Sequence, residues 1–398
     1  MATYVFPVTV SPLLTVLLVL AALAILAALG QRSSGMPGLP RLPVVGSLPW
    51  MTGTTPPHLL FMKFGRKYGP LFELYLGPHR TVVVNDHDHA REVLLQRGRD
   101  FAGRPSMVTT DLLTRGGKDI AFSDYSPLWK LHRRLVHSSF ALFGEGSSRL
   151  QDIVLSEVDG LCAELLSSNG RGFDPSLAVT TAVTNVVCTL VFGTTYKHGD
   201  GELQEVMRYN DGIVQTITRG GLVDIFSWMK VQEKAQRELD EEVGERAVRA
   251  ADRGRLPYLD SIINEGMRIR PVSPVLIPHI AMSDSSQVTR PSTPNRGSKS
   301  EPCHKTFPDR FLDDQGQRVT PSCFLPFGAG PRICVGESLA RMELFLFLSS
   351  MLQRMSFMLP GGATPPNLQG RLGVVLQPLP YKVAVRPRAG WEVSTHVN

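Results

Sequence analysis

The run Phe327-Gly328-Ala329-Gly330-Pro331-Arg332-Ile333-Cys334-Val335-Gly336 constrains this chain more than any other feature. It sets one cysteine in a glycine-rich loop directly before a strongly helical segment, Glu337-Ser338-Leu339-Ala340-Arg341-Met342-Glu343-Leu344-Phe345. Gly328, Gly330 and Gly336 let the backbone approach a flat ligand that side chains would hold off. Arg332 supplies a cation for a carboxylate such as a propionate. Cys334 falls near a helix start, where unpaired N–H groups and the helix dipole favour a thiolate over a thiol. A lone Gly-x-x-Cys would read as a buried cysteine in an ordinary loop. The full run points instead to haem iron held through sulfur, an arrangement in which the thiolate pushes electron density toward bound dioxygen.

At 398 residues and 42% apolar content, the chain is long enough for a large core, in one big domain or two. A net charge of +6 is mild, and the basic residues are scattered, so no nucleic-acid footprint is visible. A weakly basic face can still attract an acidic partner or anionic lipid. Five cysteines (Cys162, Cys188, Cys303, Cys323, Cys334) at irregular spacings argue against a disulfide framework and a CxxC-type zinc site, and for a reducing compartment.

No charged side chain precedes Arg32, and residues 5–30 are almost wholly apolar. A bilayer needs about 20 such residues, so the segment reads as a membrane span. A cleaved signal peptide is the competing reading. It lacks support from a basic n-region, and the stretch exceeds a typical h-region of about 7–15 residues. Arg32 and Arg41 then place the rest of the chain in the cytosol. Pro37-Gly38-Leu39-Pro40-Arg41-Leu42-Pro43 reads as a stiff extended linker. Leu71-Phe72-Glu73-Leu74-Tyr75-Leu76-Gly77 and Thr81-Val82-Val83-Val84-Asn85 read as two strands joined through Pro78-His79-Arg80, and helical patterns dominate from about His87 to Val231. At Val231-Gln232 one helical pattern passes into another, more charged one without a turn signal. Residues 284–305 are polar and aperiodic, and read as a disordered loop.

The ten-residue run resembles the haem-binding signature of the cytochromes P-450, Phe-x-x-Gly-x-Arg-x-Cys-x-Gly, at every fixed position. The resemblance implies a mainly α fold with a small β region and haem b ligated by Cys334. Glu265-Gly266-Met267-Arg268 pairs a carboxylate with a guanidinium at i and i+3. With Arg310 in Phe307-Pro308-Asp309-Arg310-Phe311, it resembles the family's structural network behind the haem. Trp129-Lys130-Leu131-His132-Arg133 resembles its Trp-x-x-x-Arg helix, whose fixed side chains share one face at i and i+4 and reach a propionate. Arg104 and His279 match further propionate contacts.

Further stretches, among them Asp119-Ile120-Ala121-Phe122, Tyr209-Asn210-Asp211-Gly212-Ile213 and Arg270-Pro271-Val272-Ser273-Pro274, resemble the branch of the family that hydroxylates C17 of progesterone or pregnenolone. Some of its members go on to cleave the C17–C20 bond with help from cytochrome b5. In that likeness electrons come from NADPH through a cytochrome P450 reductase, and the chain sits in the endoplasmic reticulum membrane as a single-pass protein. Asn210 would bond the oxygen at steroid C3. Ala121, Phe122, Val272, Ile277, Val374 and Val375 would wall the pocket, and Leu113 would narrow it. Arg253 matches a basic partner-contact position. The near alternative is another steroid hydroxylase such as a 21-hydroxylase, which Tyr209-Asn210-Asp211 speaks against.

The family's long central helix, with its Ala-Gly-x-x-Thr-Thr proton relay, has no counterpart in this sequence. Its place falls at 231/232, and a second deletion is expected within 286–306. The expected organisation is therefore an anchor at 1–31, a linker at 32–49 and a haem-thiolate monooxygenase domain at 50–398 without its distal helix. Oxygen activation without those protons is expected to uncouple toward peroxide, and a large apolar area would face water. A catalytically impaired form that binds haem poorly, or only competes for redox partners, is thus the second reading.

Overall fold

The computed structural model describes residues 11, 15–17, 19–22, 35–42, 44–53, 55–105, 114, 118–142, 148–196, 200–202, 228–282, 309–361, 371–372 and 375–391. They fall into two compact units, one within Met1–Gln96 and one from Arg97 onward.

In the first unit, β1 (Leu71–Leu76) and β2 (His79–Val84) pair antiparallel with Leu76 opposite His79. The turn is therefore only Gly77-Pro78, shorter than the one expected, because His79 and Arg80 already pair with Leu76 and Tyr75. Gly77 adopts φ 60°, which a side chain would resist. Helix α1 (Pro57–Tyr68) starts on a proline, whose missing N–H costs nothing in a first turn. Phe61, Phe64 and Tyr68 from α1 pack on buried Leu39, Phe72 and Leu74. The proline-rich segment is extended but is not a free linker. Leu39 N–H donates to Glu73 O at 2.9 Å, and Glu73 N–H to Pro37 O at 2.9 Å. Glycine is needed at Gly38, since a Cβ there would lie 2.2 Å from Glu73 O. Proline forbids helix yet leaves its neighbours free to pair at a sheet edge. The short helix α2 (His87–Arg91) is capped by Asp86, which accepts from His89 N–H at 2.9 Å.

Among the described residues, no helix is long and apolar enough to cross a membrane. Of the expected span, only positions 11, 15–17 and 19–22 are described, and all are exposed.

The second unit is mainly helical: α3 (Pro127–Leu142), α4 (Ser148–Ser167), α5 (Ser176–Phe192), α6 (Trp228–Glu242), α7 (Pro257–Ile269) and α8 (Glu337–Arg354). Strand β3 (Met355–Met358) pairs with β6 (Ala384–Pro387), and the two-residue strands β4 (Arg371–Leu372) and β5 (Leu376–Gln377) pair with each other. In α4, Leu150, Val154, Val158, Leu161 and Leu165 repeat at helical spacing and are all buried. They share one core with Ala182 and Val186 of α5, Leu239 of α6, Leu259 of α7 and Phe345 and Leu346 of α8. Gln236 of α6, itself buried, donates to Leu352 O and Met355 O at 3.2 and 3.1 Å, which satisfies carbonyls where α8 gives way to β3.

Helix α6 runs through Val231-Gln232 without interruption. Gln232 is clamped to β3 from both sides of its amide: Nε2 donates to Phe357 O at 3.3 Å, and Phe357 N–H donates to Oε1 at 2.9 Å. Two of the helices also carry exposed apolar side chains. Leu128, Leu131 and Leu135 form an exposed stripe on α3, and Val187, Val191 and Phe192 are exposed on α5, Phe192 by 72%.

Candidate functional site

Cys334 is exposed, on a loop closed by its own N–H donating to Phe327 O at 2.9 Å. Gly328 and Gly330 take φ 73° and 69°, the left-handed region in which glycine is unstrained. A single 3-10 turn, Gly330–Arg332, leads to Gly336, the cap residue of α8. Arg341 fastens loop to helix: Nε pairs with Glu337 at 2.9 Å while the guanidinium carbon lies 4.9 Å from the Phe327 ring centre.

Beside this loop, buried Trp129 of α3 donates from Nε1 to Ile120 O at 3.0 Å. Arg332 lies over its ring at 4.0 Å, with Arg133 at 5.6 Å. Arg133 Nη2 donates to Ile333 O, one residue before the cysteine. Arg332 donates from Nε to Ala102 O at 2.8 Å and from Nη2 to Ser123 O at 3.0 Å. Arg104 donates to Ala121 O at 3.0 Å and to Ile277 O and Pro278 O at 2.9 Å each. His279 Nδ1 faces Phe101 O at 2.6 Å and must carry the proton, since a carbonyl only accepts. Four separate segments, 101–104, 119–124, 277–280 and 330–333, are thereby stitched together by the side chains expected to face a propionate. Arg104 spends three of its five donors on these carbonyls, whereas Arg332 spends two and Arg133 one.

Burial, the largest effect, lowers the pKa of Arg104 to about 10, with help from Arg332. Burial likewise lowers Arg332, with Arg133 adding to it, and burial lowers Arg133 while the Cys334 sulfur acts against that. Burial is also the main cause of the lowered pKa of His279, although its bond to Phe101 O opposes it, and Arg104 and Arg332 push it down further. Asp119 and Asp124 offset part of this positive charge. Arg332 Nη1 is buried with no partner among the described residues. Three crowded guanidiniums, one with an unused buried donor, next to a free thiol in a glycine loop fit a flat dianionic cofactor ligated by sulfur.

Behind the loop, Glu265 of α7 is 1% exposed and receives Arg268 Nε at 2.6 Å and Nη2 at 2.9 Å. Arg310 Nε approaches the same carboxylate at 3.2 Å, near enough for an ion pair but not aligned as a hydrogen bond. The three predicted network residues are thus together.

The predicted pocket wall is looser. Ala121 is exposed, Phe122 and Ile277 are half-buried, and Val272 is 62% exposed. Leu376 N–H donates to Val272 O at 2.7 Å, which brings half-buried Val375 near Val272. Leu113, Asn210 and Val374 lie outside the described residues. Sequence reasoning missed the carboxylates of the site. Asp124 accepts from Arg104 N–H at 3.0 Å, and Asp119 accepts from Ala121 and Phe122 N–H at 2.6 Å each. An aspartate two residues before an apolar pair is a turn signal that could have flagged Asp119.

A helical fold around a thiol in a glycine loop, backed by a Glu-x-x-Arg pair whose carboxylate is buried, defines a haem-thiolate class, and the chain belongs to the cytochrome P450 family. The family model matches residues 36–231, 229–287 and 305–385. Among particular relatives, the chain is 37% identical over 465 residues to the steroid 17-alpha-hydroxylase/17,20 lyase of Ictalurus punctatus, covering 88% of this chain and 90% of that one. It is likewise 37% identical to that of Squalus acanthias, over 88% and 91%. Its fold is similar to a zebrafish cytochrome P450 solved with progesterone: TM-score 0.71, 45% identity, 84% of this chain and 100% of that one covered. A zebrafish cytochrome P450 structure with abiraterone gives a TM-score of 0.70 at 44% identity, covering 84% of this chain and 99% of that one.

Proposed function

We propose that this chain is built as a steroid 17-alpha-monooxygenase that binds haem b through Cys334 and takes progesterone or pregnenolone as substrate. The observation that carries this reading is the meeting of Arg133 and Arg332 over Trp129 beside the Cys334 loop, with Arg104 close enough to Arg332 for the two charges to oppose each other. Haem iron bound there would supply dioxygen activation, with electrons from NADPH through the reductase. Cys334 would offer its sulfur, and Arg332 Nη1 and Arg133 would offer charge to the propionates. The Arg104 bonds hold the 119–124 and 277–280 segments, so that Ala121, Phe122 and Ile277 can border a rigid sterol. The names of the relatives support the steroid class, and the apolar 5–30 segment supports an endoplasmic reticulum anchor with a cytosolic domain.

A second reading, a catalytically impaired form without its central helix, has its own support. The family match breaks at 229–231 and again between 287 and 305. An alignment of 465 residues that takes in 88% of a 398-residue chain also crosses long stretches of the relative with no counterpart. The exposed stripes on α3 and α5 agree with a lost neighbour. The C17–C20 cleavage belongs with the first reading only, and competition for the reductase and cytochrome b5 belongs with the second.

The deciding experiment is to express the chain in membranes, reduce it, add carbon monoxide and record the Soret band. A thiolate-type red-shifted band that is lost in Cys334→Ala, together with a shift of the oxidised protein's Soret band on adding progesterone, supports the monooxygenase. Absence of any haem signal rules it out in favour of the second reading.

A further inference from the structure

Away from the cysteine loop, a pocket of about 220 Å³ is lined by Arg253, Gly254, Pro257, Gln317 and Arg318. Its floor is an unequal charge arrangement. Asp260 of α7 is 1% exposed and is shared by two guanidiniums: Arg253 Nε reaches Oδ1 at 2.7 Å, and Arg318 Nη1 reaches Oδ2 at 3.1 Å. Buried Asn264 donates to the same Oδ2 at 3.4 Å. One carboxylate therefore meets two cations, which leaves a net positive charge. Each guanidinium has five N–H donors, and among the described residues neither makes a hydrogen bond beyond the one to Asp260. Of the nearby acids among the described residues, Asp252 and Asp313 make their hydrogen bonds elsewhere, and neither is seen to bond Arg253 or Arg318. Asp252 is held by Arg246 and Arg255, and Asp313 Oδ1 takes the N–H groups of Gln315 and Gln317. The first amides of α7, at Tyr258 and Leu259, are taken by Glu238 at 2.7 and 2.8 Å, so the pocket's donors are its side chains.

We propose that this pocket is a binding site for a tetrahedral oxyanion, a phosphate or phosphomonoester, held by Arg253, Arg318 and Gln317. Two guanidiniums pinned by a buried carboxylate present fixed donors, which favours a multiply charged acceptor over a single-charged one. The site is a small-ion site and is distinct from the partner contact that the family likeness puts at Arg253, although occupancy would change the charge offered there.

The test is equilibrium dialysis of the full chain in detergent against labelled inorganic phosphate, with ionic strength held by chloride. One saturable site per chain is expected, weakened about tenfold or more by Gln317→Glu, which sets a like charge at the pocket while leaving Asp260 paired, and by Arg318→Gln. Circular dichroism melts check that both variants fold. Displacement by glycerol 3-phosphate at similar concentration assigns the site to phosphomonoesters, and displacement by phosphate alone assigns it to the free ion. Binding that rises linearly without saturation, or saturable binding unchanged in both variants, overturns the proposal.

Discussion

Arg332 stands over the ring of Trp129, 4.0 Å from its centre, while two of its nitrogens bond the carbonyls of Ala102 and Ser123. A planar guanidinium can stack and bond in its own plane at once, which a lysine cannot. Arg332→Lys is therefore expected to cost about 2 kcal/mol of stability, from one cation–π contact and a lost pair of charge-assisted bonds. Urea unfolding of wild type and variant would measure it. A midpoint unchanged in the lysine form would mean that the stack holds nothing together.

Glu265→Gln should be more damaging, because it removes the only carboxylate that Arg268 and Arg310 share in the described structure. Losing one partner of a buried pair costs about 3–5 kcal/mol, and the lower end applies since Arg268 is 41% exposed and keeps part of its hydration. Loss of soluble folded protein on expression, rescued at low temperature, is the expected result. A normal yield and melting point would refute it.

Glu343 of α8 is raised to about 7 by burial, and its Oε1 has no partner among the described residues. The native state binds a proton more tightly than the unfolded chain, so this residue's stabilising effect is full below the ordinary value of 4.5 and is lost as pH rises toward 7. Glu343→Gln should flatten that slope and raise the melting temperature above pH 7. The gain is about 3 kcal/mol at most for a shift of this size. Melting curves across pH that stay parallel for the two proteins would count against it.

His279 carries the opposite sign. Its folded pKa lies below the ordinary 6.5, so its contribution is present above that value and is lost as pH falls through the lowered folded pKa. His279→Gln, whose amide can also donate toward Phe101 O, should remove the acid-side slope. Retention of the full slope in the variant would place its origin elsewhere.

The stripes on α3 and α5 predict self-association. Val191→Ser combined with Phe192→Ser, both on exposed positions, should lower light scattering of the detergent-depleted protein without changing its circular dichroism. Equal scattering would show that these side chains are not the adhesive surface.

Local features of the site were legible in the sequence because helix geometry is local. Trp129 with Arg133 and Glu265 with Arg268 sit at i,i+4 and i,i+3, and the structure brings each pair together. The Cys334 loop could be read in the same way, since its glycines and the following helix are contiguous. The stitching was not legible. Arg104 reaches Ile277 across 173 residues and Arg332 reaches Ala102 across 230, and no periodicity encodes such pairs. The segment 37–43 reads as a stiff extended linker because its prolines exclude helix, whereas the pairing of Pro37 and Leu39 with Glu73 depends on a strand placed later in the chain.

The clamp of Gln232 on Phe357 has a bearing on how the chain could be divided. The residue that follows the junction is tied to β3 by two bonds of its own, and Ala235 and Leu239 sink into the core shared with α7 and α8. Gln232, Ala235 and Leu239 thus have moorings of their own, in β3 and in the core, besides the helix that carries them. A break in the chain between Val231 and Gln232 would cost α6 its first turn and leave the fastening to β3 untouched.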